Sequence, residues 1–209
     1  MSTHRYRRCL FALLAMPLAP GAFAGMVTVD VTTTTGAKAA DAVIVFDPLD
    51  TTPPPSHDKA IIDQVNKQYV PRVTVVRTGT EITFPNSDRI RHQVYSFSKP
   101  NKFTLKLYSG SPPTPVTFDK PGLVVLGCNI HDHMVAFVGV VDSPYFVKTP
   151  GSGTAALNMP AGRYRMRVWH PNETGAEPPR EVAVSAAPMT IPLTIDVQGA
   201  ATAVAAWPE

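Results

Sequence analysis

The sequence predicts an all-β protein, and three observations lead to that prediction. The chain is rich in Val, Thr and Ile and carries 22 prolines and 13 glycines in 209 residues. Its apolar residues form short runs that alternate with polar residues at a period of two or stay apolar throughout, bounded by Gly, Pro or Asn. No stretch has a sustained helical period, apart from a short turn expected at 61–65. Many short strands at this spacing are typical of β-sandwiches and barrels.

The strands follow from these runs in chain order. Val27–Thr32 alternates strictly with a period of two, and Ala42–Phe46 is continuously apolar. Further strands are predicted at 72–76, 81–84, 93–98, 103–107, 116–118, 123–128, 135–141, 154–157, 163–169, 180–184 and 190–195.

The N-terminus predicts an exported protein. Arg5, Arg7 and Arg8 precede an apolar run over 9–16, and Ala22-Phe23-Ala24 is a small-x-small cleavage pattern. We therefore expect a signal peptide at 1–24, cleaved after Ala24, and a periplasmic product. A membrane span takes about 20 apolar residues, so this run is too short, and we expect no membrane span.

The charge balance gives no indication of a nucleic-acid partner. The chain has 19 Lys and Arg residues against 16 Asp and Glu residues. Because three of the arginines fall in the leader, the mature chain is balanced, whereas nucleic-acid binding calls for a clustered basic face. A local group of cations does lie near His92 along the sequence, and it is either a solvated face or a docking patch for an acidic partner. Its members are Arg89, Arg91, Lys99, Lys102 and Lys106.

The candidate functional residues lie in and upstream of the segment Gly127–Met134. This segment contains Cys128, the one cysteine of the mature chain, followed at intervals of three by His131 and Met134. A thiolate, two imidazoles and a weak axial thioether form the ligand set of a blue-copper site. His92 is well placed upstream to supply the second imidazole. The pattern therefore predicts copper bound by His92, Cys128, His131 and Met134.

Other interpretations of the same residues remain open. A free cysteine is often a small buried apolar residue, and zinc also binds Cys and His, although the order of affinities favours copper. His133 beside Met134 leaves some ambiguity about the ligands, while the spacing favours His131. A Cys128 nucleophile paired with a histidine would be an enzyme, but it leaves Met134 unexplained. We expect no catalysis.

The central part of the chain resembles the cupredoxins, the plastocyanin and amicyanin family, over about 60–142. The matching motifs, in order, are Tyr69-Val70-Pro71, Gly79–Phe84, Asn86, His92-Gln93-Val94, Phe118–Gly122 and Cys128-x-x-His131-x-x-Met134. The segments 92–98, 127–134 and 140–146 also resemble a bacterial group labelled "methylamine utilization protein". The resemblance implies a Greek-key β-sandwich with one type 1 copper per chain.

The flanking segments resemble a second small sandwich. Leu157–Val168 is similar to the signature of transthyretin-like or carboxypeptidase-regulatory domains. Pro- and Gly-containing connectors at 50–56 and 149–153 separate the two units. We therefore expect a cupredoxin domain inserted in a transthyretin-like sandwich, since inserted domains need only close termini. The expected segments are 1–24 signal peptide, 25–55 and 149–198 flanking sandwich, 56–148 copper domain and 199–209 tail.

Two functions are consistent with this organisation. The first is a periplasmic one-electron carrier that cycles between Cu(II) and Cu(I) and exchanges electrons with other periplasmic redox proteins. The alternative is a copper-binding module, or a protein- or carbohydrate-interaction module, in which copper is cargo or structural.

Overall fold

The computed structural model describes residues 24–54, 56–112, 114–175, 177–197 and 207–208. The predicted signal peptide, except Ala24, and most of the predicted tail lie outside these residues. The described residues contain strands and no helix, which confirms the all-β prediction. Accordingly, no helix that could cross a membrane occurs within these ranges.

The strands are numbered in chain order. They are β1 Ala24–Thr33, β2 Val43–Pro48, β3 Lys59–Ile61, β4 Asp63–Val65, β5 Gln68–Val70, β6 Val73–Arg77, β7 Thr80–Thr83, β8 His92–Ser96, β9 Phe103–Tyr108, β10 Val116–Phe118, β11 Gly122–Gly127, β12 Val135–Val141, β13 Phe146–Lys148, β14 Thr154–Pro160, β15 Gly162–Trp169, β16 Arg180–Val184 and β17 Met189–Ile195.

The turn expected at 61–65 was wrong, because β3 and β4 occupy this segment. β3 pairs in parallel with β7, and β4 forms a small antiparallel hairpin with β5. Ile62 and Gln64 are fully buried, so an apolar residue and a polar residue share the inward face. β3 and β4 each contain a single β-branched residue, whereas the equally short β10 consists of Val, Thr and Phe and was predicted.

The central sandwich consists of strands between 59 and 141. One sheet has the order β10-β7-β3 and the other β6-β12-β11-β8-β9. Their facing side chains form one apolar core, to which Phe84, Phe118, Leu126 and Val138 belong. Cys128 and Met134 lie in the same core, so the packing of the sandwich also positions the candidate ligands.

The flanking sandwich is assembled from both ends of the described chain. Its sheets have the orders β14-β1-β17 and β13-β2-β15-β16. β1 and β2 thus pair with strands that follow the central unit along the chain. β13, which the sequence assigned to the copper domain, pairs with β2 and therefore belongs to the flanking sheet.

The two sandwiches pack face to face. β2 and β15 contribute Val43, Val45 and Trp169 to a third buried cluster, and the central sandwich contributes Val73, Phe137 and Val141. All but the first residue of β12 are buried, since this strand faces the central core on one side and this interface on the other.

Candidate metal centre

Three of the four predicted ligands, His92, Cys128 and His131, are brought together at one end of the central sandwich, and Met134 lies in the same buried core as Cys128. His92 begins β8, Cys128 follows the last residue of β11, and Met134 precedes β12. The candidate ligand atoms of His92, Cys128 and His131 all lie within 4.8 Å of one another. The Cys128 Sγ atom is 4.0 Å from His131 Nδ1, and the rings of His92 and His131 have centroids 5.0 Å apart.

The loop between β11 and β12 presents the last three predicted ligands. Its short course from Cys128 to Met134 is closed by a hydrogen bond from the Met134 N–H to the His131 carbonyl oxygen, at 2.9 Å. Cys128 and Met134 are buried, whereas His131 is partly exposed. The loop therefore directs a thiol and a thioether inward and leaves one imidazole at the surface.

The hydrogen bonding of His92 fits a metal ligand. The ring is fully buried, and its Nε2 lies 2.7 Å from Asp88 Oδ2. Because a carboxylate oxygen accepts, Nε2 carries a proton, and in the neutral ring Nδ1 is then the unprotonated nitrogen. Nδ1 is buried and has no hydrogen-bond partner among the residues that the structure describes. Buried polar atoms are normally satisfied, so a free lone pair beside a buried sulfur offers one nitrogen and one sulfur ligand to a metal ion.

Asp88 is a functional residue that the sequence reasoning missed. Its Oδ1 accepts from the Asn66 N–H at 2.7 Å and its Oδ2 from the Lys67 N–H at 2.8 Å. Burial by itself raises the pKa of this carboxyl, but the hydrogen bonds from Lys67, His92 and Asn66 outweigh it, so that the pKa is lower than usual. Asp88 is thereby kept ionised and can accept from His92. Its position four residues before His92 was the only signal in the sequence.

The hairpin of β4 and β5 supplies these two amides. Asn66 and Lys67 form its turn, with φ angles of 52° and 58°. Two consecutive residues with positive φ define a type I′ turn, which suits a two-residue hairpin. In this turn both N–H groups face the same carboxylate. A separate hairpin thus positions the carboxylate that orients His92.

Tyr69 ties the two ligand-bearing strands together. Its hydroxyl lies 2.8 Å from the Gln93 carbonyl oxygen and 2.9 Å from that of Gly127, the neighbours in sequence of His92 and Cys128. Burial of the ring and the proximity of Cys128 raise the pKa of this hydroxyl well above its usual value. The hydroxyl of Tyr69 therefore stays protonated. By donating to the two carbonyl oxygens it holds β8 and β11 at a fixed spacing.

His131 and His133 differ in their relation to the site. His131 lies in the cluster of ligand atoms, whereas His133 lies beside it, with ring centroids 5.9 Å apart. The pKa of His131 is lowered by burial and then by the charges of His92, Lys67 and His133. A lowered pKa favours the neutral imidazole, which is the form that can bind a metal.

Exposed apolar and cationic side chains lie close in sequence to the predicted ligands. Ile130 precedes His131 and is 48% exposed, and Ile90, two residues before His92, is 42% exposed. Arg89 and Arg91 are exposed as well and make no ion pair with the described residues. The segments that carry the predicted ligands therefore expose apolar and positively charged side chains, together with the acidic Asp132.

Comparisons with solved structures give several copper proteins. The chain is similar to the copper-containing nitrite reductase (NirK) from Thermus scotoductus SA-01, with 22% identity, 46% of this chain covered, 26% of that chain covered and a TM-score of 0.38. A purple cupredoxin from Nitrosopumilus maritimus shares 22% identity over 39% of this chain and 98% of its own, with a TM-score of 0.34. A pseudoazurin from Hyphomicrobium denitrificans shares 22% identity over 39% of this chain and 74% of its own, with a TM-score of 0.34.

These similarities are distant. The chain spans about a quarter of the length of the nitrite reductase. No protein-family model matches the chain. No curated protein matches it either.

Proposed function

We propose that this protein is a periplasmic type 1 copper protein that carries one electron at a time. The observation that carries the proposal is the buried, unpartnered Nδ1 of His92 in a group with Cys128 and His131. We assign His92, Cys128, His131 and Met134 as the ligands of a single copper ion. When bound, this ion would alternate between Cu(II) and Cu(I).

The surrounding residues support electron transfer because they hold the ligands still. His92 is fixed by Asp88 through Nε2, and the strands beside His92 and Cys128 are joined through Tyr69. Ligands supported by a hydrogen-bonded outer shell keep their orientation. A site that keeps its geometry in both oxidation states reorganises little when an electron moves.

The proposed domain organisation is a copper sandwich within a flanking transthyretin-like sandwich. The pairing of β1 and β2 with β13–β17 supports it. Export by a signal peptide over 1–24 belongs to the same proposal.

The proposed partners are other periplasmic redox proteins. Ile90 and Ile130 offer exposed apolar side chains, and Arg89 and Arg91 offer exposed positive charge, in the segments that carry His92 and His131. Charges at the rim of an interface increase the rate of association more than the affinity. A partner with an acidic rim would fit this surface.

Visible absorption of the mature protein tests the copper site. One equivalent of Cu(II) is expected to produce an intense thiolate-to-copper band, which Cys128→Ser abolishes. His133→Ala is the matched control, because this histidine is next to the site but outside the ligand cluster, and it should keep the band. A band that survives Cys128→Ser, or the absence of any band in the natural protein, would contradict the proposal.

A second experiment distinguishes a carrier from a module in which copper is cargo or structural. A carrier should show a reversible potential by voltammetry and fast electron self-exchange. Rapid loss of Cu(I) to the chelator bicinchoninate, with no reversible wave, would instead support the cargo function.

A further inference from the structure

A cleft lies between the two sandwiches, away from the candidate copper site. It has a volume of about 900 Å³, which is within the range of small-molecule sites, and such sites favour domain interfaces. One wall comes from the residues that follow β8 and β12 and the first residues of β11, and the other from β2, β15 and the connector after β2. β11 has Cys128 at its other end, so about 17 Å separates the cleft from the metal centre at the rise of a β-strand.

Two cations in this cleft have no partner in the described part of the chain. Lys99 and Arg165 line it and are exposed. Asp47 lies opposite Arg165 in the ladder between β2 and β15, but both its oxygens bind Arg167, at 2.7 and 3.1 Å. Arg165 is therefore left without that carboxylate.

The remaining charges of the cleft are already engaged. Arg167 and Asp47 form the ion pair just described, and Arg167 also donates to the Pro208 carbonyl oxygen at 2.8 Å. Asp142 accepts from the Thr78 hydroxyl at 2.6 Å and keeps its charge. The cleft thus has three cationic side chains, Lys99, Arg165 and Arg167, against the two carboxylates of Asp47 and Asp142, and this excess favours an anion.

An aromatic wall stands beside these cations. The Trp207 indole lines the cleft and packs on Trp169 with centroids 5.5 Å apart. Its position depends on Gly139, because a Cβ atom there would come within 2.5 Å of the ring. Four prolines, at positions 48, 53, 100 and 121, also line the cleft. Rigid apolar surfaces of this kind bind the face of a ring without losing side-chain freedom.

We propose that this cleft binds a small ring compound carrying a carboxylate. The ring packs against the indole of Trp207 and the neighbouring prolines, and the carboxylate is bound by Arg165 and Lys99. Acidic sugars and aromatic acids share this chemistry. The site is independent of copper, and it gives the flanking sandwich a function of its own.

Isothermal titration calorimetry of the full mature protein tests the proposal. The probes are D-glucuronate for the acidic sugars and benzoate for the aromatic acids, each compared with its neutral counterpart, D-glucose or benzyl alcohol. At least one acid is expected to bind saturably at one site, and at least tenfold more tightly than its counterpart. The acid that binds identifies the source of the ligand. Failure of both acids to bind would overturn the proposal.

Two exposed arginines of β15 provide a matched pair of variants. Arg165→Gln should weaken binding at least fivefold. Arg163→Gln should leave it within twofold, because Arg163 pairs with Asp50 and does not line the cleft. Equal losses in the two variants would indicate non-specific attraction to positive charge and would overturn the proposal. The copper band, recorded on the same samples, reports separately on the metal centre.

Discussion

Asp88 sets the orientation of His92, and its effect should be measurable in the copper protein. A carboxylate that accepts from Nε2 increases the basicity of the ligating nitrogen and so favours Cu(II) over Cu(I). Asp88→Asn is therefore expected to lower Cu(II) affinity about tenfold and to raise the reduction potential. Competition titration and voltammetry measure the two effects. Asp63→Asn is the control, since Asp63 binds Ser87 rather than a ligand. Unchanged affinity in Asp88→Asn would show that Asp88 does not support His92.

Glu173 lowers the stability of the folded protein at neutral pH. It is only 3% exposed, and neither carboxylate oxygen has a partner among the described residues. Burial, together with the charges of Glu177 and Asp196, raises its pKa to about 7. The folded state therefore holds a proton that the unfolded state releases near pH 4.5, and stability should fall as the pH rises from about 4.5 to 7. Glu173→Gln should remove this loss of stability and raise the free energy of unfolding at pH 7.5 by on the order of 2 kcal/mol, as measured by urea unfolding. An unchanged pH profile would contradict this.

His170 should affect stability in the opposite direction. Its Nε2 donates to the Ala40 carbonyl oxygen at 3.0 Å, and its Nδ1 accepts from the Asn172 N–H at 3.1 Å. This pair of bonds requires the neutral ring, and burial lowers the pKa of His170. These bonds should stabilise the folded state fully above about pH 6.5. The stabilisation should be lost as the pH falls from that value through the lower pKa that His170 has in the folded state. Unfolding of His170→Gln between pH 5 and 7.5 tests this, because Gln can both donate and accept without titrating. A slope equal to that of the natural protein would rule out His170 as the cause.

At the scale of single elements, the turn of the β4–β5 hairpin is strained, because two residues other than glycine hold positive φ angles where their amides bind Asp88. Lys67 holds a left-handed conformation that glycine adopts without strain. Lys67→Gly should therefore raise the free energy of unfolding by about 0.5 kcal/mol and leave the bond from the residue 67 amide to Asp88 intact. It should also raise the pKa of His131, because the Lys67 charge lowers it. Thermal unfolding and NMR titration of the apoprotein measure the two effects. Lys59→Gly, in β3, should destabilise instead.

The elements also show which parts of the structure the sequence can predict. Long alternating strands such as β1 were predicted within a few residues, because alternation over many positions is unambiguous. Among the three-residue strands, β10 was predicted because Val, Thr and Phe all favour strands. The strands β3, β4, β5 and β13 were not predicted from the alternation, since each contains at least one residue that is neither β-branched nor aromatic. In the site, the spacing of Cys128, His131 and Met134 indicated a metal centre. Asp88 could not be found in this way, because its function depends on a turn that is distant in sequence.

For the whole molecule, Trp207 is the residue that joins the two sandwiches near the C-terminus. The sequence assigned this residue to a tail outside both sandwiches, but the indole packs between Gly139 of β12 and Trp169 of β15. This contact could not be foreseen, because it depends on a gap that exists only after both sandwiches have formed.

Removing this contact should weaken the interface. Trp207→Ala is expected to lower the free energy of unfolding by about 2 kcal/mol, since it takes away a partly buried aromatic side chain. Gly139→Val should have a similar effect by displacing the ring. The double variant should lose less free energy of unfolding than the two single variants together. Chemical unfolding of the three variants measures this. Fully additive losses would mean that the two residues do not contact each other.

The order of the strands along the chain has a consequence for how the protein folds. Val27 of β1 pairs with Leu157 and Met189, and Val43 of β2 pairs with Trp169. During synthesis the first two strands therefore emerge long before their partners, while the strands of the central sandwich follow one another closely. Contacts between residues near in sequence form faster. The central sandwich is therefore complete before β1 and β2 have partners to pair with. Two apolar strands that remain without partners are open to aggregation, and this interval is when the molecule most needs protection by a chaperone.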